Sequence, residues 1–441
     1  MPASSHRDVF ALPHDGGYLV YAPLAGRVLR VNAASVRQLK TYLASGDATA
    51  VDPELVKRLG GLRWLDSPVA PVPLPADRHY HPTAVTLFLT SACNLRCTYC
   101  YAEAGDVAVR TMPEEIWRSA IDLVVRNARR AGRPAAVGFH GGGEPTVAWD
   151  SLAGAVAHAR SAAGSPGNLN LGLATNGVMN EEQAEFVATT FPTVTLSLDG
   201  DAEAQDHQRP RAGGAGSFDA VMRFVDTLRG HKTSLVVRAT ITEATVHRQA
   251  ELVEILAART GCQLLHFEPV FARGRRAARA GEPLDADAFA TGFIAAMERA
   301  ATLGVRLRYS AARLGGAFLS FCGCAQDAFN VTPEGDVTAC FEVCDRSSPH
   351  AEWFFFGRWD PDRGAFAIDA ERLARLRGLN VLQKPLCARC FAKWSCAGDC
   401  PVKGSTESFD FQAGSARCRM NQSITHALLV QAVKGEACTA I

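Results

Sequence analysis

Three cysteines fall within one short stretch, Cys93-Asn-Leu-Arg-Cys97-Thr-Tyr-Cys100. Thiolates spaced C-x3-C-x2-C on a single loop can ligate three irons of a four-iron cube and leave the fourth iron open to a small molecule. A structural zinc site usually brings four protein ligands in paired spacing, so the triplet points to iron–sulfur chemistry. A second set reads Cys387-x2-Cys390-x5-Cys396-x3-Cys400-x17-Cys418, preceded by Cys322-Gly-Cys324, Gly335-x4-Cys340 and Cys344. In this half a zinc ribbon competes, because thiolate pairs suit zinc as well. The chain has 14 cysteines in 441 residues and no signal-peptide pattern, so metal binding explains them better than disulfides. Two stand apart from the groups. Cys262 opens a strand and reads as a core residue, and Cys438 lies on what is expected to be a mobile tail.

The remaining composition is that of an ordinary globular protein: 47% hydrophobic, 21% charged, Lys+Arg 46 against Asp+Glu 45. That balance gives no support to a nucleic-acid or membrane-surface footprint, and no apolar run is long enough to span a bilayer. A cytoplasmic protein with neither nucleic acid nor membrane as partner is expected.

The elements that must position the cysteines follow from periodicity. Residues 17–21 and 26–31 are two β-rich runs joined by Ala22-Pro23-Leu24-Ala25, a hairpin signal. Asn32 can cap a helix through about Leu43, a second helix fits Pro53–Leu59, and a proline-rich linker covers 67–82. From Ala84 the chain alternates strand and helix. The β-rich runs are 84–90, 135–140, 168–174, 193–198, 233–241 and 263–270; helices fit 113–130, 150–163, 180–190, 217–229, 245–259 and 285–303. This predicts an α/β fold with a parallel sheet and crossover helices, a full or partial barrel. Reactive groups in such barrels sit at the C-terminal strand ends, and the next motifs fall there. Gly142-Gly143-Glu144-Pro145 follows the second strand, Thr175-Asn176-Gly177 the third, and Ser197-Leu198-Asp199-Gly200 the fourth, while Arg238 lies in the fifth. Taken singly, each is a turn signal, and an arginine in a strand equally suits a structural ion pair. Beyond Tyr309 the cysteine-dense region begins, and 420–434 fits a terminal helix. The expected domains are 1–78, 79–308 and 309–441.

The first cysteine loop, with Tyr99 before its last cysteine, resembles the signature of the radical S-adenosylmethionine (SAM) superfamily. The resemblance implies a partial (β/α)6 barrel in which Cys93, Cys97 and Cys100 hold a 4Fe–4S cluster. Its open iron takes SAM, and one electron cleaves SAM to a 5′-deoxyadenosyl radical that abstracts hydrogen. It also implies SAM contacts at Tyr99, at Gly142, Gly143, Glu144 and Pro145 for the amino group, and at Thr175, Asn176, Ser197 and Asp199. Arg238 is the candidate for the SAM carboxylate, which a guanidinium can grip bidentately. The later cysteines resemble the SPASM domain of radical SAM maturases, which carries two auxiliary clusters. By that resemblance Cys387, Cys390, Cys396 and Cys418 hold the outer cluster, and Cys324, Cys340 and Cys400 the inner one. Cys322 is favoured as the fourth inner ligand, with Cys344 or an open iron as alternatives. The first eighty residues resemble a winged-helix-like, PqqD-like domain that binds a leader peptide as an added strand; a plain cap on the barrel is the alternative.

Together these imply an enzyme using SAM and three 4Fe–4S clusters, with an external electron donor such as flavodoxin or ferredoxin. Its substrate would be a ribosomally made precursor peptide with a leader, and its product a thioether or carbon–carbon crosslink. Anaerobic sulfatase maturation is an alternative, weakened because Phe341, not an acid, follows Cys340. Peptide epimerisation would need a spare cysteine, Cys262 or Cys438, to return hydrogen. A reading from another class is a non-catalytic electron carrier or peptide-binding protein. Candidate acids and bases are Glu268, Glu342, Cys344, Asp345 and Asp399.

Overall fold

The computed structural model describes residues 8–65, 70–278, 284–403, 415–434 and 439–440. The chain forms two compact units: Met1–Pro73 with Ser310–Phe321 and Asn380–Ile441, and Leu74–Tyr309 with Cys322–Leu379. The segment 309–441 is therefore shared between them.

The first unit opens with an antiparallel meander, β1 (Phe10–His14), β2 (Gly17–Ala22) and β3 (Arg27–Val31). β2 and β3 are the expected hairpin. β1 was not among the expected strands; its Pro13 is accommodated because β1 lies at the sheet edge. The overlooked signal is Asp15-Gly16, whose φ values of 45° and 69° make the two-residue turn that suits strand twist. Asn32 caps α1 (Ala33–Ser45) by accepting from the Ser35 amide at 2.8 Å, and α2 (Pro53–Arg58) starts on proline. Alternation along β2 and β3 divides their side chains between two faces. Val20, Leu29 and Val31 pack with Leu39, Leu55 and Leu59 of the helical layer.

The second unit is built on β4 (Ala84–Leu87), β5 (Ala135–Phe139), β6 (Leu169–Thr175), β7 (Thr193–Ser197), β8 (Ser234–Ile241), β9 (Leu264–Pro269) and β10 (Arg306–Arg308), parallel and in sequential order. The helices between them are α3 (Glu114–Arg130), α4 (Trp149–Ala163), α5 (Glu181–Thr190), α6 (Ala202–Gln208), α7 (Phe218–Arg229), α8 (Gln249–Thr260), α9 (Arg275–Ala278) and α10 (Ala286–Thr302). β10 was not anticipated; a three-residue Arg-Leu-Arg edge strand reads as loop. The short polar α6 was also missed, and α8 starts later than expected because 246–248 form a 3-10 turn. Beside β4 the sheet continues with β11 (Asn330–Val331), parallel, then with antiparallel β12 (Asp336–Thr338), β13 (Phe355–Asp360) and β14 (Ala365–Ile368). Helices α11 (Ala351–Phe354) and α12 (Ala370–Arg377) flank these last strands. The result is an 11-stranded, mostly parallel sheet with β10 and β14 at its edges.

One face of the parallel strands is apolar and buried: Val85, Leu87, Val137, Phe139, Leu173, Leu196, Val237 and Leu265. The alternate residues Thr86, Gly138, Gly172, Thr195, Ser197, Arg238 and His266 share the other face. Polar side chains on one face of a parallel sheet are unusual, because such sheets are normally apolar on both. They mark where a ligand would sit.

The first unit closes with α13 (Lys393–Cys396), α14 (Ala416–Ala432) and β15 (Thr439–Ala440), the last pairing antiparallel with β3. α14 begins before the expected 420, since nothing in Ala416-Arg417-Cys418-Arg419 breaks a helix, and Cys418 falls in its first turn. Leu429 and Val433 cover the second face of the meander, on Leu19, Tyr21 and Val28. Cys438 lies outside the described residues. Among the described residues no helix is long and apolar enough to cross a membrane.

Candidate functional site

The loop after β4 that carries Cys93, Cys97 and Cys100 has no regular structure of its own, so its shape comes from neighbours. The segment following α6 runs along it: the Arg96 amide donates to the Pro210 carbonyl at 2.7 Å, Thr98 to Gln208 at 2.9 Å, and Ala212 to Asn94 at 3.0 Å. From the other side the Arg275 amide donates to the Cys100 carbonyl at 3.0 Å, and its guanidinium donates to the carbonyls of Cys97 and Ala104 and to Asp106. Gly274 must be glycine here, because its φ is 51° and a Cβ would stand 2.3 Å from the Cys100 carbonyl oxygen.

Beneath the loop lies Asp199, which is fully buried. One carboxylate oxygen accepts from the Tyr99 hydroxyl, from Gln208 Nε2 at 2.8 Å and from Arg209 Nε at 3.0 Å; the other accepts from the Thr240 amide at 2.9 Å. The Arg209 guanidinium also lies 5.2 Å from the Tyr99 ring centroid and reaches Cys97 Sγ at 3.9 Å. Burial pushes the Tyr99 phenol well above its ordinary value, so it remains a donor to Asp199.

The glycine loop after β5 is fitted against the same segment. The Gly143 amide donates to the Thr90 carbonyl at 2.8 Å and Glu144 to Ala92 at 2.9 Å. A Cβ on Gly143 would lie 1.9 Å from the Ala92 carbonyl oxygen. Gly143→Ala is therefore expected to cost about 1–3 kcal/mol of stability, read by denaturant unfolding, and to lower iron uptake by displacing Ala92 and Cys93. Glu144 is buried and accepts from Thr175 Oγ1 at 2.7 Å, the Asn176 amide at 2.7 Å, and Thr146 Oγ1 at 2.9 Å. Burial pushes its carboxyl up while these donors pull it down; the net direction is up. Asn176 Nδ2 donates to Asn94 Oδ1 at 2.7 Å and reaches Cys93 Sγ at 3.8 Å. One carboxylate thus ties the second and third strand-end motifs together, and Asn176 carries that tie to the cysteine loop.

The three thiols suit a cationic centre. Burial pushes Cys93 up to about 12 and Cys97 up to about 11, and each lies in the field of the other loop cysteines. A positive group among them would draw Cys93 and Cys97 back towards the thiolate form.

Ser197 and Arg238 are register partners on the polar face, and Arg238 in turn pairs with His266. Among the described residues neither Ser197 nor Arg238 has a side-chain hydrogen bond, so both are available to a ligand. His266 Nε2 and Glu268 Oε1 are 2.8 Å apart. Burial, then Arg238, lower the His140 pKa to about 4, which keeps the imidazole neutral near pH 7. The turn after β12 comes over this end of the sheet: the Phe341 ring is 5.0 Å from His140 and 6.2 Å from Phe88. Tyr101 lies in the fields of Cys344, Glu342, Cys100 and Arg238. Tyr101, His140, Arg209 and Arg275 were not singled out from sequence. Only Tyr101, directly after Cys100, offered a signal by position.

The later cysteines divide between the units, with Cys322, Cys324, Cys340 and Cys344 in one and Cys387, Cys390, Cys396, Cys400 and Cys418 in the other. Ala397, Gly398 and Asp399 have consecutive positive φ values of 55°, 79° and 65°, folding the chain back between Cys396 and Cys400. A bidentate Asp399–Arg417 pair at 2.8 Å holds that fold, and Lys384 donates to the Gly398 carbonyl. Burial pushes the Asp399 carboxyl up, but Arg417 outweighs it and holds it below its ordinary range. Cys387 is pushed up to about 11 by burial and by the neighbouring Cys390 and Cys418. Among the described residues no three His, Cys, Asp or Glu side chains stand close enough to share a single metal ion. Cys262 is buried ahead of β9, at the end of the sheet away from the site.

A family profile described as the radical SAM superfamily matches residues 87–252, which contain the cysteine loop and every strand-end motif above. The chain is 30% identical over 285 residues to the mycofactocin maturase MftC of Mycobacterium ulcerans, covering 60% of this chain and 70% of that protein. It is 25% identical over 325 residues to the serine-type anaerobic sulfatase-maturating enzyme of Klebsiella aerogenes, covering 70% and 77%. The structure of anSMEcpe with bound AdoMet shares the fold, with a TM-score of 0.62 at 18% identity over 79% of this chain and 98% of that one. The profile falls on the loop and strand ends whose geometry is described above, and the chain belongs to the radical SAM superfamily.

Proposed function

We propose that this radical SAM enzyme matures a ribosomally made precursor peptide by hydrogen abstraction, forming a thioether or carbon–carbon crosslink. The observation that carries the peptide reading is the small antiparallel sheet at the N-terminus. Its edge strand β1 has no partner among the described residues, and its other edge, β3, is met only by the two residues of β15. An exposed sheet edge can take a leader peptide as an added strand. The meander with α1 and α2 supports a winged-helix-like, PqqD-like domain over 1–78. Both relatives are named for maturing another gene product.

In this reading Cys93, Cys97 and Cys100 hold a 4Fe–4S cluster that, with SAM bound, supplies a 5′-deoxyadenosyl radical. Arg238 grips the SAM carboxylate and Ser197 a ribose hydroxyl, both being polar groups at the C-terminal end of the polar face with no side-chain hydrogen bond among the described residues. Gly142 to Pro145, Thr175 and Asn176 shape the wall on which SAM lies, and Tyr99 with Asp199 holds the loop. Phe341, 41% exposed, and the neutral His140 form an apolar lip that keeps water from the radical. Among the acid–base candidates, Glu268 is tied to His266, Asp399 to Arg417, and Asp345 to the Ser347 amide. Glu342 and Cys344 stand nearest the SAM loop through Tyr101 and are the favoured groups to meet substrate.

Cys387, Cys390, Cys396 and Cys418 hold the outer auxiliary cluster of a SPASM domain over 309–441. Cys324, Cys340, Cys400 and Cys322 hold the inner one; Cys344 lies in the field of Cys100, which favours Cys322 as the fourth ligand. A flavodoxin- or ferredoxin-type donor brings the electron, and a reducing cytoplasm suits the cysteine thiols, of which Cys322 is exposed. The expected iron content is about twelve per chain, measured by colorimetric iron and zinc analysis. A value near four with bound zinc removes the auxiliary clusters.

The function is tested by mass spectrometry of a precursor peptide co-expressed with the enzyme. Loss of two hydrogens per event supports a crosslink, whereas unchanged mass with deuterium uptake from solvent means epimerisation. Sulfatase maturation is favoured by the Klebsiella aerogenes relative and disfavoured by Phe341 in the position that subfamily gives to an acid. Conversion of a sulfatase peptide to formylglycine would establish it.

A further inference from the structure

In α14, Cys418, Asn421 and Gln422 are spaced i, i+3, i+4 and share one helical face. Asn421 Nδ2 donates to Cys396 Sγ at 3.3 Å, and Gln422 Nε2 donates to Cys390 Sγ at 3.5 Å. Asn421 is 1% exposed and also bonded to Asp399, so its amide is fixed in direction. Lys384, Lys393 and Arg417 add positive field at Cys387, Cys390 and Cys396. At the loop of Cys93 and Cys97 one backbone amide, that of Leu95, donates to Cys93 Sγ at 3.4 Å, while the side-chain donors Asn176 and Arg209 stand farther off, at 3.8 and 3.9 Å.

A hydrogen bond to a ligating sulfur withdraws charge from it and stabilises the more negative, reduced form of an iron–sulfur centre, raising its potential. We propose that Asn421 and Gln422 are positioning residues that raise the reduction potential of the cluster held by Cys387, Cys390, Cys396 and Cys418. This rests on the assignment of those four cysteines to one cluster. It makes that centre a better electron acceptor than the SAM-binding one, the property required of a group that receives the electron an oxidative crosslink releases.

The test uses the full-length, iron-loaded chain carrying Cys93→Ala, Cys97→Ala and Cys100→Ala, so that only auxiliary centres remain. Its midpoint potentials are read by titration followed by electron paramagnetic resonance, and the inner cluster serves as internal reference. Gln422→Leu and Asn421→Ala are each expected to lower one midpoint only. Together they should shift the reduction equilibrium about tenfold, or about 59 mV for a one-electron couple, with iron content unchanged. Gln422 is only half-buried, so its variant decides the matter if Asn421→Ala does not fold. Unchanged midpoints in loaded variants overturn the proposal while leaving the cluster assignment intact. A parent that binds no iron overturns the assignment, and the proposal with it.

Discussion

Cys97→Ala is expected to abolish reductive cleavage of SAM, with dithionite-reduced enzyme releasing 5′-deoxyadenosine only at the rate of a protein-free control. Cys97 is tied to the scaffold at both ends: its Sγ is approached by Arg209 and its carbonyl accepts from Arg275. A three-ligand cluster that loses one thiolate loses a third of its protein bonds and exposes a second iron to solvent. The loop itself is expected to survive the change, because backbone hydrogen bonds with Gln208, Pro210 and Ala212 shape it and the thiol does not. Circular dichroism should therefore match the parent while iron falls by about four per chain. Cys97→Ser, which keeps volume but offers a harder oxygen ligand, should fail in the same way. Release of 5′-deoxyadenosine at a tenth of the parental rate or more would show that the radical does not depend on this loop.

What sequence made legible here is set by how local each signal is. Five of the six expected parallel strands lie within a residue of their positions and the first, expected over 84–90, stops at Leu87, because their apolar runs are bounded by helices and Gly-rich loops. Gly142-Gly143-Glu144, Thr175-Asn176 and Ser197 to Asp199 could be found because each follows a strand in a fold that places ligands there. What could not be found is what holds them. Arg209 and Arg275 reach the cysteine loop from segments more than a hundred residues away, and nothing in their own neighbourhood marks them. The same is true of Asp199. The motif pointed to a cofactor contact, whereas the structure shows a fully buried carboxylate whose oxygens accept from four donors. β1 is a different kind of miss, since the Asp15-Gly16 turn that pairs it with β2 is local and readable in the sequence. The division of 309–441 between two units depends on packing that no spacing of cysteines encodes.

Asp199→Ala should destabilise the chain by about 3–5 kcal/mol, because it leaves the buried Arg209 guanidinium without its counter-charge, and denaturant unfolding with matched iron loading measures it. The loss is larger than that of a surface pair since both partners are out of water, with side-chain exposures of 10% for Arg209 and 0% for Asp199. Three further donors, from Tyr99, Gln208 and Thr240, lose their acceptor together, and each buried unsatisfied donor adds about 1–3 kcal/mol before relaxation. Asp199→Asn keeps the volume but turns one acceptor into a donor facing Arg209, so it should recover little. The double change Asp199→Ala with Arg209→Ala should be less harmful than the sum of its parts, since it removes the stranded cation as well. Iron uptake separates this scaffold role from a direct cofactor contact. Freed from Asp199, Tyr99 and Arg209 no longer fix the positions of Cys97 and Cys100, so cluster incorporation should fall before SAM is ever added. If Asp199→Ala instead loads iron fully, unfolds within about 0.5 kcal/mol of the parent and loses only SAM affinity, Asp199 acts on the cofactor and the loop is held by Arg275 and its backbone hydrogen bonds without Asp199.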